Sequence, residues 1–497
     1  MHKHFTILLV ALLACLNTLA QQNAPLPNVV LILCDDLGQG DPPCYNPGSK
    51  TPMPSVDRLA TQGIRFTDAH TPSSVCTPTR YGTLTGRYCW RSSLKKGVLN
   101  GWSNALIEDN RPTIASMLKP LGYHSAAIGK WHLGWNWHAA DGSELTGKQE
   151  IDRVDFSRPI GRGPITAGFD HTYLIPASLD MAPYLYLIDG KAEKAPTDHT
   201  KGSAPRRGGG DGFWRGGPMQ PGFDFYGVLP THTKAAVDYI DQRGSVAKSG
   251  QGKPFFLYLP LPSPHTPWMP SEQFQGKTQA GWYGDYVNET DWAAGQVLDA
   301  LDRNGFAQNT IVIFTSDNGS HWPEEDIKKW GHDANNNWRG QKADIQEGGH
   351  RVPFIVRWPG VVKPGGVSDQ TICLTDIYAT LAAVVGHNLA ENEGEDSISL
   401  LPILRGIDKP VREAVVHHSI SGMFSIRRGD WKLVLGLGSG GFTKVDVTDE
   451  KNAGFEGQLY NLKEDPQETT NLWKDRPEIV AELGAILENY KASGRSR

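Results

Sequence analysis

An excess of positive charge is missing from this 497-residue sequence: 49 lysines and arginines stand against 54 aspartates and glutamates, a net of −5. That argues against a nucleic-acid binder, which needs a basic footprint to displace counterions from phosphates. A specific anionic substrate stays open, because a few placed cations can bind one inside a mildly acidic protein. Cysteine is scarce, with six residues, too few in a chain of this size for a disulfide framework. No HExxH, paired CxxC, Walker loop or GxSxG occurs, so zincin, zinc-ribbon, P-loop and α/β-hydrolase readings lack support. The glycines near 208 follow no strand and make no dinucleotide fingerprint. The apolar run from Phe5 to Ala14 is too short to span a bilayer, and no transmembrane segment is expected.

What is present begins with "MHKHFTILLVALLACLNTLA", a basic start, an apolar run and small residues before Gln21. Residues 1–20 therefore read as a secretory signal, and the protein is expected to be periplasmic or secreted. "LLAC" also resembles a lipoprotein box, with a lipid anchor at Cys15 as the minor alternative. Removing the signal leaves Cys34, Cys44, Cys76, Cys89 and Cys373. That odd number in an exported chain leaves one thiol to explain.

The body of the chain alternates buried strands with helices. "PNVVLILCDD" is a continuous apolar run ending in acid, which suits a central strand delivering two carboxylates at its C-terminal end. Ser55 is placed to cap a short helix closed by Gly63, and Pro112 and Gly122 bracket another. "YHSAAIGKWHLG", "KPFFLYLPLPSPHTPW" and "NTIVIFTSDNG" each read as a strand running into a polar loop. Such alternation predicts a large, mostly parallel sheet with helices on both faces, and ligands bind outside the carboxyl ends of its strands. Residues 140–222 break the rhythm. "GSAPRRGGGDGFWRGGP", Gly202 to Pro218, is too rich in glycine to predict a regular element. After about residue 408 short strands and a final helix predict a small antiparallel sheet with one helix, giving units of 25–408 and 409–497.

The residues that carry chemistry follow the predicted strand ends. Asp35 and Asp36 are adjacent acids that repel unless a cation lies between them, and oxygen ligands favour Ca²⁺ or Mg²⁺. "SDNG" supplies Asp317 and Asn318 in the same setting. Among the basic residues in loops are Arg80, Lys130, His132, His265 and Lys342. Lys130 and His132 flank Trp131 in "GKWHLG", and His265 lies between prolines, a rigidity that suits a proton donor.

"CTPTRYGTLTG", from Cys76, matches cysteine-x-proline-x-arginine followed by threonine-glycine. With "LILCDDLG", "GKWHLG", "PHTPW", "TSDNG", "RGQKADIQEGGHRVP" and "GDWKLV", it makes the chain resemble the formylglycine-dependent sulfatases of the alkaline phosphatase superfamily. The likeness covers nearly the whole sequence. The resemblance implies that a maturation enzyme reads the Cys76 segment and oxidises Cys76 to the aldehyde formylglycine. One hydroxyl of the hydrated aldehyde then attacks the sulfur of a sulfate ester. It further implies a Ca²⁺ ion held by Asp35, Asp36, Asp317 and Asn318 together with the Cys76 diol, with Asp317 also taking the nucleophile's proton. Arg80 and Lys130 would stabilise the diolate, Lys342 and His265 contact the sulfate, and His265 protonate the departing alcohol. His132 would take a proton from the second hydroxyl, expelling sulfate.

The substrate is read by other loops. Asp180, Tyr184, His321, His332 and Trp338 are the candidates, since carboxylates, imidazoles and indoles suit sugars. The resemblance to bacterial glycan sulfatases implies a sulfated carbohydrate, with galactose or N-acetylgalactosamine 6-sulfate favoured. The alternatives are a phosphodiesterase or phosphonate monoester hydrolase of the same superfamily, and a glycan-binding protein with a dead site.

Overall fold

The computed structural model describes residues 25–147, 150, 153–204, 213–407 and 409–497. The expected signal, Cys15 and the boundary at residue 408 lie outside them. Asn28–Asp35 is the sheet's central strand, paired in parallel with Phe255–Pro264 on one side and Thr310–Ser316 on the other. His124–Lys130 and His171–Ile175 extend the parallel run. Antiparallel Phe354–Arg357 and short edge strands complete a ten-stranded sheet.

The central strand shows why a continuous apolar run was needed. Val29, Leu31 and Leu33 point into one core and Val30, Ile32 and Cys34 into another, all of them fully buried. Each such side chain contributes roughly 1.5–3 kcal/mol. Helices Cys76–Thr85 and Asp376–Val385 cover the first face, while Pro54–Gln62, Val228–Val246 and Gly281–Arg303 cover the second. The sheet is thus sandwiched between helices, and polar residues follow the carboxyl ends of its strands.

Two local expectations need correction. Ser55 lies inside its helix, where its amide donates to Asp291 Oδ2 at 3.0 Å; Met53 is the N-cap and the Asp291 carboxylate satisfies the first amides from outside. The glycine-rich stretch is partly regular: Trp214–Met219 pairs antiparallel with Asp198–Ser203. Glycine serves close approach here, because a Cβ on Gly217 would come 2.3 Å from that of Ala182.

Val415–His418, Phe424–Arg428, Trp431–Val434 and Gln458–Asn461 form the small antiparallel sheet, with helix Pro477–Ser493 against it. A buried polar seam binds this sheet to the large one. His350 and His417 stack at 3.9 Å, His70 Nδ1 lies 3.1 Å from His350 Nδ1, and Lys432 Nζ donates to Glu347 at 3.1 Å. The His418 carbonyl also accepts from Ser73 Oγ and Ser74 N, just before Cys76.

One buried acid sets a pH dependence. Glu289 accepts from Ser271 N and Oγ at 2.9 and 2.7 Å, yet burial pushes its carboxyl up to about 7. A raised folded value gives stability that is full below the unfolded pKa, near 4.5, and is lost as pH rises through 7. Glu289→Gln is expected to remove a loss on the order of 3 kcal/mol across that window. Urea midpoints at pH 4.5 and 8 check it; an unchanged difference between the two would contradict an ionising Glu289.

Candidate active site

Four neighbouring strands deliver their ends to one place. Asp35 closes the central strand and Asp36 follows it; Asp317 and Asn318 follow Thr310–Ser316; Lys130 closes His124–Lys130; His265 follows Phe255–Pro264. Cys76 is the first residue of helix Cys76–Thr85 and is 2% exposed. Asp36 has φ +64°, unfavourable for a side chain with a Cβ. Its carboxylate is held by two donors, Asn318 Nδ2 at 2.7 Å and Lys342 Nζ at 2.8 Å.

Buried cations partition the acids. Arg80, fully buried, donates Nε to Asp317 Oδ2 at 2.9 Å and Nη1 to the Lys130 carbonyl at 2.9 Å, and its Nη2 lies in ion-pair contact with the same Asp317 oxygen at 2.7 Å. Its Nη2 is 3.6 Å from Asp35 Oδ1. Lys130 Nζ donates to Asp35 Oδ2 and to Ser178 Oγ, each at 2.6 Å. Burial pushes Asp35 up, but Lys130, His265 and Arg80 outweigh it and hold the carboxyl below its usual range. Asp317 goes the other way, to about 7, because burial and the Asp35 charge exceed the pull of Arg80. Burial also pushes the Cys76 thiol up to about 11, against Lys130 and Lys342. An unmodified thiolate is therefore scarce at neutral pH.

The donor set fits a hard divalent cation. Atoms of Asp35, Cys76 and Asp317 lie within 4.8 Å of one another, as do those of Asp35, Asp36 and His265. Asp35 Oδ1 and Asn318 Oδ1 are buried and have no hydrogen-bond partner. Two such oxygens beside three carboxylates match an oxygen-preferring ion.

The histidines are oriented by carbonyls. His132 Nε2 donates to the Leu99 carbonyl at 2.7 Å, so its buried Nδ1, which has no partner, presents a lone pair. Burial and the Lys130 charge hold its pKa well below the usual value, keeping it neutral. His265 Nδ1 donates to the Thr266 carbonyl, leaving Nε2 3.4 Å from Ser178 Oγ and 3.7 Å from Asp36 Oδ2. Burial and Lys342 lower its pKa.

Cys76, Asp36, His265 and Lys342 open into a cavity of about 210 Å³, whose far wall carries Asp180 and Arg215. Asp180 is 4% exposed; its Oδ2 accepts from Arg215 Nη1 while its Oδ1 has no partner. Arg215 escaped sequence reasoning, hidden in a stretch read for its glycines; a cation between Phe213–Trp214 and Gly216 was the available signal. Tyr184 does not line the cavity. It donates its hydroxyl to the Arg215 carbonyl at 2.6 Å and so supports the hairpin. His321 lines the cavity, whereas His332 lies behind it, with Nε2 2.8 Å from Asp41, which in turn accepts from Tyr283. Trp338 lies on a neighbouring groove, with Arg351 stacked over its ring at 3.9 Å.

The comparisons agree with this arrangement. The family model for sulfatases matches residues 27–387. An N-acetylgalactosamine-6-O-sulfatase of Bacteroides thetaiotaomicron is 32% identical over 519 residues, which is 97% of each chain. The steryl-sulfatase of Rattus norvegicus is 34% identical over 430 residues, 80% of this chain and 74% of its own. A solved structure from work on the metabolism of multiple glycosaminoglycans by Bacteroides thetaiotaomicron is also similar. It has a TM-score of 0.78 and 31% identity, covering 94% of this chain and 100% of its own. Matched over most of its length by a family model and end to end by a relative, this chain belongs to the sulfatase family, the hydrolases of sulfuric esters.

Proposed function

We propose that the protein removes the 6-sulfate from galactose or N-acetylgalactosamine units of a sulfated glycan, using formylglycine made from Cys76 and a Ca²⁺ ion at Asp35, Asp36, Asp317 and Asn318. The convergence of Cys76 with Asp35 and Asp317, and the partnerless Asp35 and Asn318 oxygens, carry the chemical part of this reading. The sugar rests on the N-acetylgalactosamine-6-O-sulfatase relative, similar over 97% of the chain. A maturation enzyme reading Cys76 to Arg80 is part of the same proposal, as is export on residues 1–20. Among the described residues no helix is long and apolar enough to cross a membrane.

When bound, the ion would acidify the attacking hydroxyl and offset charge on the sulfate. Asp317, which lies beside the Cys76 side chain and Asp35, takes the proton of that hydroxyl. Lys342 meets a sulfate oxygen from the cavity side. His265, its Nδ1 fixed by the Thr266 carbonyl, turns Nε2 to the ester oxygen. The anionic substrate raises the imidazole's pKa, so Nε2 carries the proton that leaves with the alcohol. His132 Nδ1 accepts the proton of the second hydroxyl, and the sulfur–oxygen bond to the enzyme is not the one that breaks: the carbon–oxygen bond does, releasing sulfate and restoring the aldehyde.

The test is sulfate release from a panel of galactose, N-acetylgalactosamine and N-acetylglucosamine carrying sulfate at single positions, with and without chelator. Release from the galacto 6-sulfates, lost on chelation, is expected; release only from other positions would overturn the sugar assignment. Asp180, with a buried oxygen free to accept from a sugar hydroxyl, is expected to matter in the same assay. Asp180→Ala is expected to lower kcat/KM on the preferred sugar by roughly 10–100-fold. An unchanged value would remove Asp180 from sugar recognition.

A further inference from the structure

Helix Cys76–Thr85 carries four threonines, and three of them bond within their own segment. Thr79 Oγ1 donates to the Ser73 carbonyl at 2.9 Å, Thr83 Oγ1 to the Thr79 carbonyl at 2.9 Å and Thr85 Oγ1 to the Tyr81 carbonyl at 2.7 Å. Such local bonding is the usual habit of a threonine in a helix. Thr77, fully buried and next to Cys76, does otherwise. Its Oγ1 donates to the His132 carbonyl at 3.0 Å and accepts from Leu99 N at 3.2 Å, partners 55 and 22 residues away in the chain.

Those two bonds close a ring around His132. Leu99 gives its N–H to the Thr77 hydroxyl, and its carbonyl takes the His132 Nε2 proton at 2.7 Å. One residue thus links the helix to the imidazole through both of its backbone groups. Leu99 is half-buried in a stretch without regular structure, flanked by bonds from Gly97 N to the Ile420 carbonyl at 2.8 Å and from Asn100 N to Ser103 Oγ at 3.0 Å. His132 itself has φ +55°, a backbone state that costs a residue with a Cβ about 1–3 kcal/mol and persists where its surroundings enforce it. The Thr77 hydroxyl on its carbonyl, and the Pro176 carbonyl 3.1 Å from its N–H nitrogen, supply that enforcement.

We infer that Thr77 is a positioning residue for sulfate release: through Leu99 it keeps His132 in the tautomer whose Nδ1 can take the second hydroxyl's proton. The inference rests on the proposed reaction at Cys76 and adds a residue to one step of it. In that step the O–H electron pair becomes the C=O bond of the aldehyde, the proton goes to His132 Nδ1, and the C–O pair leaves with sulfate. Nε2 must keep its own proton meanwhile, and the Leu99 carbonyl is the group that holds it there. Where Leu99 drifts, the Nδ1–H tautomer becomes as favourable, and its Nδ1 has no lone pair to offer. Attack on sulfur and departure of the alcohol use other groups, so Thr77 has no part in them.

The experiment compares wild type, Thr77→Val and Thr77→Ser on a galacto 6-sulfate, with rates divided by the fraction of Cys76 converted, since Thr77 lies in the proposed maturation tag. Valine keeps the shape and removes the oxygen; serine keeps the oxygen. Thr77→Val is expected to lower kcat about 10–100-fold, the size of a lost buried hydrogen bond, while KM falls in step and kcat/KM stays within about twofold. Release is then the slow step, so one equivalent of desulfated sugar appears as a burst before the steady state. Thr77→Ser is expected to turn over like wild type. On the same samples, nitrogen NMR of labelled histidine, with the His132 signal assigned by its loss in His132→Asn, reads the tautomer directly. A single Nε2–H form is expected in wild type and the serine variant, and a mixture in the valine variant. Equal losses in kcat and kcat/KM, a serine variant as slow as the valine one, or an unmoved tautomer in Thr77→Val would each overturn the positioning role and leave the proposed reaction standing. A wild type that releases no sulfate strikes the reaction, and the release role with it.

Discussion

Cys76→Ala and Cys76→Ser are both expected to abolish multiple turnover, a loss of at least about 10⁴-fold in kcat. Alanine leaves nothing to attack sulfur. Serine keeps a hydroxyl, but the ester it forms lacks the second oxygen that His132 needs to expel sulfate, so one equivalent of product is its limit. The burst and the steady state must therefore be measured separately. Both variants are expected to fold, since the side chain is small and sits at a helix start. The companion measurement is mass spectrometry of the Cys76 peptide from active wild-type protein, where the aldehyde is about 18 Da lighter than cysteine. Undiminished cycling by the serine variant, or a thiol in fully active protein, would sink the proposed nucleophile.

Arg80→Ala should cost both activity and stability. Its guanidinium is fully buried and is the hydrogen-bonded cation on Asp317, so removal strands a buried acid, a change that typically costs about 3–5 kcal/mol. Without Arg80 the Asp317 carboxyl, beside Asp35, would move further up and serve less well as a base or an ion ligand. A fall of about 10³-fold or more in kcat/KM is expected. Arg80→Lys should not rescue it, because one ammonium cannot take the places of both Nε on Asp317 Oδ2 and Nη1 on the Lys130 carbonyl. Urea unfolding and kinetics on the same sample check both halves. Arg80 is also in the proposed maturation tag, so rates are to be divided by the fraction of Cys76 converted. Full activity per converted site would contradict the assigned role.

Much of this was legible before any coordinates. The run from Val29 to Cys34 had to be buried on both sides, which fixed a central strand and put Asp35 and Asp36 at its carboxyl end. Asp317, Lys130 and His265 followed by the same logic, because neighbouring parallel strands end together. Contacts that depend on long-range closure were not legible. Nothing local in "ASLDMAPY" says that Asp180 will meet Arg215 across a hairpin, or that Tyr184 will turn to the Arg215 carbonyl. His332 looked free for a sugar by residue type alone; its partner Asp41 is 291 residues away in sequence. Ser55 failed for a related reason, since a distant carboxylate took over the capping that a local hydroxyl would have supplied.

The seam between the small sheet and the segment before Cys76 sets a clock. Ser73 Oγ donates to the carbonyl of His418, a residue 345 positions later in the chain. A ribosome adding roughly 5–20 residues per second needs about 20–70 s to cover that distance. Throughout that interval "CTPTR" has emerged but cannot be closed over, because the strand that seals it has not yet been made. In the finished fold Thr77 to Arg80 are fully buried, so a second enzyme would find no peptide to grip. On the proposed maturation, the delay built into the chain's order is the period in which Cys76 would be open to chemistry. A faster-closing arrangement of the same residues would bury the thiol before anything could alter it.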